Sequence, residues 1–76
     1  MNKYKNLIES NYNVMVGKPV IKGTRITVEL ILKIISEGAT TSDILDMYPH
    51  LKLEQILACL EYASDVVGKE EILELV

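Results

Sequence analysis

Gly17-Lys18-Pro19-Val20-Ile21-Lys22-Gly23-Thr24-Arg25-Ile26 is the stretch on which the reading of this chain turns. Two glycines able to take positive φ bracket a proline that fixes its own φ and donates no hydrogen bond. Apolar pairs flank it, Val14/Val16 before and Ile26/Val28 after. The pattern predicts a basic β element that bends twice, a hairpin or a looped strand pair. It names no reaction.

Upstream, Leu7-Ile8-Glu9-Ser10 reads as a strand and Asn11-Tyr12-Asn13 as a turn. Val14-Met15-Val16 and Pro19-Val20-Ile21-Lys22 are the next extended pieces. They are too short to form a core alone, so they pair with each other or with a second chain.

Downstream, the hydrophobic period changes at Thr27. Thr27 suits an N-cap, and Val28, Leu30, Ile31, Ile34 and Ile35 recur at helical spacing up to Gly38, which stands where a C′ glycine ends a helix. Thr40 or Thr41, with Asp43, opens a second helix expected to bury Ile44, Leu45 and Met47. It stops at Tyr48, because Pro49 disfavours helical geometry in the residue before it. A third helix follows Pro49-His50-Leu51-Lys52, with Leu53, Ile56, Leu57, Leu60 and Ala63 expected inward, Glu54, Gln55, Ala58 and Glu61 opposite, and Gly68 as the break. The expected class is mainly α, a three-helix helix-turn-helix bundle behind a short N-terminal β element. It forms a single domain: a basic arm over 1–26, a helical core over 27–67, and an acidic, apolar tail over 68–76.

Composition narrows the classes. The chain has 76 residues, 49% of them hydrophobic, with neither Trp nor Phe, so the core is aliphatic and a lone subunit of this size is marginal. The single Cys59 excludes an internal disulfide, and no apolar run reaches the length of a membrane span; a soluble cytoplasmic protein is expected. The net charge of −3 hides an asymmetry. Up to Arg25 five cations face Glu9 alone, while from Ile26 onward three cations face ten carboxylates. A basic arm can meet phosphate; equally, basic and acidic halves can meet in a homodimer.

Gly17-Lys18-Pro19-Val20-Ile21, Gly23-Thr24-Arg25-Ile26 with Val28, Gly38, Ile44, Tyr48-Pro49-His50-Leu51 and Leu53-Glu54 together resemble the bacterial domain of unknown function 433 family, over roughly residues 10 to 66. The resemblance implies a homeodomain-like helix-turn-helix, usually dimeric. It also implies the antitoxin of a two-gene toxin–antitoxin pair, with a PIN-like ribonuclease toxin as partner. One position departs from the family's pattern: Lys52 stands where a capping Thr is common. Either the cap is forgone, at about 1 kcal/mol, or Lys52 reaches a phosphate or a carboxylate such as Glu54.

The side chains suit three kinds of chemistry unequally. For double-stranded DNA, Lys18, Lys22 and Arg25 with Lys52 and Gln55 are the candidates, since phosphate contacts need cations and Gln can read adenine. The carboxylates Glu54, Glu61 and Asp65 on the third helix work against it. Arg25 has a competing structural reading, an ion pair with Glu29 or with a carboxylate of the second helix. Catalysis has little to draw on, because His50 is the sole histidine and reads as a turn residue whose ring bonds a helix-end carbonyl. Cys59 reads as a buried, inert thiol. No cofactor or metal is expected, and the glycines do not match a phosphate-binding loop. For a protein partner, Glu70, Glu71 and Glu74 supply charge while Ile72, Leu73, Leu75 and Val76 supply apolar area. The same residues could instead cap the chain's own core or its dimer.

Overall fold

The computed structural model describes the backbone of residues 6–74 and the side chains of residues 6–68. The element order is β1 (Ile8–Asn11), β2 (Val14–Ile21), α1 (Val28–Ser36), α2 (Thr41–Met47) and α3 (Leu53–Glu74).

β1 and β2 form an antiparallel pair with Ile8 opposite Ile21 and Ser10 opposite Pro19. The Asn11 carboxamide accepts the Asn13 N–H at 2.8 Å and tightens the turn. The two extended pieces expected after this turn are one strand with a bulge. Pairing jumps from Ser10↔Pro19 to Asn11↔Val14, so Met15 to Lys18 loop out of register. Met15, Val16 and Gly17 there have φ of 52°, 56° and 83°. Glycine takes such values freely; a β-branched valine does so only under strain.

The second bend leads from β2 into α1, and Thr24 holds it. Its hydroxyl donates to the Ile21 carbonyl at 2.7 Å and accepts the Ile26 N–H at 3.0 Å. The Ile21 N–H donates to the Ile26 carbonyl, and an isolated bridge pairs Val20 with Thr27. Gly23, at φ 83°, makes the reversal possible. Much of the Gly17–Ile26 stretch thus builds the fold.

The helix ends follow local chemistry. Thr27 caps α1 by accepting the Leu30 N–H. Gly38 at φ 106° closes it in a Schellman arrangement, its N–H on the Ile35 carbonyl and the Ala39 N–H on that of Ile34. Thr40 and Asp43 form the reciprocal capping box of α2. At the start of α3 Gln55 does half of that work. The Lys52 backbone N–H donates to its Oε1 at 2.7 Å, so the missing threonine is partly compensated from three residues on.

The core joins Ile8 and Ile21 of the hairpin to Val28 and Ile31 of α1, Ile44 of α2, Leu51, and Ile56, Ala58 and Cys59 of α3. Three expectations change here. Met47 is half exposed because α2 has only two turns and Ile44 fills its inward position. On α1 Leu30 faces outward, and Leu32 packs against the core instead. Gly68 does not end α3, which continues to Glu74. Glycine in a helix costs about 1 kcal/mol relative to alanine but forbids nothing, and Gly68 lacks the positive φ of a helix stop.

Candidate functional site

α3 carries two apolar faces. The buried one is made by Ile56, Ala58 and Cys59, with Tyr62 packed partly against the core. The other is exposed: Leu53, Leu57 and Leu60 keep 47%, 49% and 37% of their surface, and Val67 keeps 63%. The inward set expected from the sequence was therefore wrong for these three leucines. Ala58, expected outside, is 3% exposed. The small side chains at 58 and 59 mark where neighbouring chain comes close, a signal that the larger leucines masked.

The exposed face has an acidic edge. Glu54 and Glu61, with Leu57 and Ala58, line a concavity of about 410 Å³ that Asn6 and Leu7 close on the hairpin side. Between Leu53 and Gly68 the helix has no cation.

The candidate nucleic-acid residues are dispersed among other tasks. Lys18 is 3.1 Å from the Glu29 carboxylate, so Glu29 pairs with Lys18 and not with Arg25. Arg25 makes no ion pair among the described residues, and Lys22 and Lys52 are exposed. Gln55 has its side-chain oxygen engaged in capping α3, and Lys52 makes no ion pair with Glu54.

Among the described residues His50 bonds no helix-end carbonyl. It lies instead, with Glu9, Thr24, Arg25, Ile26 and Tyr48, around an open concavity of about 620 Å³. The two segments that carry the family resemblance meet there, a juxtaposition hidden in the sequence because 25 and 50 lie on different elements.

Cys59 is fully buried, and burial pushes its thiol up to about 11. It is protonated at neutral pH and has no nucleophilic form to offer. Among the described residues no three His, Cys, Asp or Glu side chains converge to hold a metal ion, and no helix is long and apolar enough to cross a membrane. The candidates Glu70, Glu71, Ile72, Leu73, Glu74 and Leu75 lie outside the described side chains.

Comparison with known proteins gives a consistent answer. A family model described as "Protein of unknown function (DUF433)" matches residues 8–63. The crystal structure of a DUF433 member protein from Anabaena variabilis ATCC 29413 superposes with a TM-score of 0.79 at 26% identity. The match covers 91% of this chain and 68% of that one. No curated protein matches.

Proposed function

The chain belongs to the DUF433 family, whose function is unknown, and from that premise we propose that it is a non-catalytic binding protein, the antitoxin of a toxin–antitoxin pair that covers a PIN-like ribonuclease. The observation that supports this reading is the continuity of α3. The helix passes Gly68 and runs to Glu74, well beyond Cys59, the last buried residue of α3 among the described side chains. The sequence Glu70-Glu71-Ile72-Leu73-Glu74 thereby becomes the end of a helical arm rather than a detached tail. Acidic and aliphatic side chains on such an arm suit a nuclease surface that is cationic or metal-loaded. Autoregulation through double-stranded DNA would fall to Arg25, Lys22 and Lys52, those of the candidate cations that make no ion pair among the described residues.

The test is a pull-down of the tagged full chain from its native lysate, with eluates assayed for ribonuclease activity before and after denaturing the bait. A stoichiometric small ribonuclease, silent in the complex and active once released, is the expected result. The chain ending at Gly68 should bind it at least tenfold more weakly. Recovery of DNA without a nuclease would replace the antitoxin reading with that of a transcription regulator. Undiminished nuclease binding by the shortened chain would remove the arm from the interface.

A further inference from the structure

We propose that the outward face of α3 is the docking surface for a basic amphipathic helix of a protein partner. This deepens the protein-binding reading above and rests on it. Leu53, Leu57, Leu60, Ser64 and Val67 follow one another at alternating steps of four and three, the spacing of a helix-pairing seam. At 3.6 residues per turn they fall within an arc of roughly 80°, and Ile56, Cys59 and Tyr62, which pack on the chain's own core, follow at about 60°, 120° and 180° from its centre. A face of this width and period, exposed over more than three turns, matches the ridges of another helix; a β strand would present a period of two.

Charge selects among helices. Glu54, Glu61 and Asp65 lie along one side of the seam, and no cation lies between Leu53 and Gly68 to balance them. A second copy of α3 would bring the same carboxylates against them and no cation from that span in return. A partner helix with leucine-like residues at seam spacing and Lys or Arg beside them meets both requirements. The concavity between Glu54, Glu61, Leu57 and the Asn6–Leu7 segment offers such a cation a pocket with an apolar floor. Long basic side chains fill such pockets well, with the stem on apolar surface and the charge at the rim.

The experiment uses the full chain and a fluorophore-labelled synthetic peptide of about three heptads, with leucine at the seam positions and lysine beside them. A matched peptide carries glutamate instead. Fluorescence anisotropy should show binding of the lysine peptide only, weakened by added salt. The Leu57→Gln/Leu60→Gln variant should lose at least tenfold in affinity with its circular dichroism and melting unchanged. Glu54→Gln/Glu61→Gln should retain part of the binding and lose most of the salt dependence.

Failure of the lysine peptide to bind, equal binding of both peptides, or unchanged affinity in the leucine variant would overturn the proposal. So would sedimentation of the native chain as a dimer that Leu57→Gln/Leu60→Gln converts to monomer, since a second copy would then own this face. A nuclease held equally well by the leucine variant and by the native chain would sink the docking surface and leave the antitoxin reading intact. Binding of the lysine peptide with no nuclease in the pull-down would do the reverse.

Discussion

On one side of α3 Ile56, Ala58 and Cys59 are closed off from solvent; on the other Leu53, Leu57 and Leu60, a few residues away and mostly larger, stay open to it. The inward side is partly built of small side chains because hairpin and helices approach closely there. The outward side carries leucines that the described chain leaves partly open, Leu57 beside the concavity that Asn6 and Leu7 close. Side-chain size is thus a poor guide to burial on this helix, and mixed sizes mark the packed side.

Four measurements would break or sharpen that contrast. The largest effect belongs to the inward face: Ile56→Ala should cost about 2–5 kcal/mol in urea denaturation, since Ile56 is fully enclosed and its loss leaves a cavity. A cost near zero would mean that the inward face is not packed as described. The next effect is a pH dependence. The unfolded Cys59 thiol ionises near 9.0 and the folded one near 11. Its contribution is therefore fully present below about pH 9 and is lost as pH rises toward 11, where the unfolded chain releases the proton first. Urea midpoints across that window should fall less steeply in Cys59→Ala than in the native chain. The native thiol should also resist iodoacetamide at neutral pH.

A smaller effect, of opposite sign, is expected further along. Gly68→Ala should stabilise α3 by up to about 1 kcal/mol, because an added Cβ meets nothing within 4 Å and the backbone is helical. A destabilised variant would restore Gly68 as a break. The smallest belongs to the outward face. Leu57→Gln should change stability by no more than about 0.5 kcal/mol, the usual range for an open surface position. A loss of several times that would show that the face is already buried in solution.

What the sequence disclosed was chemistry confined to a few neighbouring residues. Thr27, Gly38 and the Thr40–Asp43 pair each act within one turn of chain, and all three hold as expected. The turn between β1 and β2 was legible for the same reason, whereas the strands' pairing with each other rather than with a second chain stays open in the sequence and is settled only by the register of Ile8 with Ile21. The rest depended on distance in space. Choosing between the two apolar faces of α3 requires knowing which one the hairpin reaches. Pairing Glu29 with Lys18 requires β2 and α1 to be placed together. Gln55 capping α3 is within local reach, three residues from Lys52, but a glutamine at the start of a helix suits a base contact equally well until its partner is known. Arg25 and His50 share a concavity only because the bend after β2 and the turn before α3 fold toward each other.

The bulge at Met15 to Lys18 has a use in protein engineering. The hairpin is already closed by Ser10 opposite Pro19, and the Ser10 hydroxyl donates to the Gly17 carbonyl. Val16 projects into solvent in a backbone conformation it disfavours. A reporter peptide or affinity tag spliced into this bulge would interrupt no core contact and would let a strained residue relax. The bulge is thus a natural attachment point that leaves both ends of the chain, and the whole of α3, unencumbered.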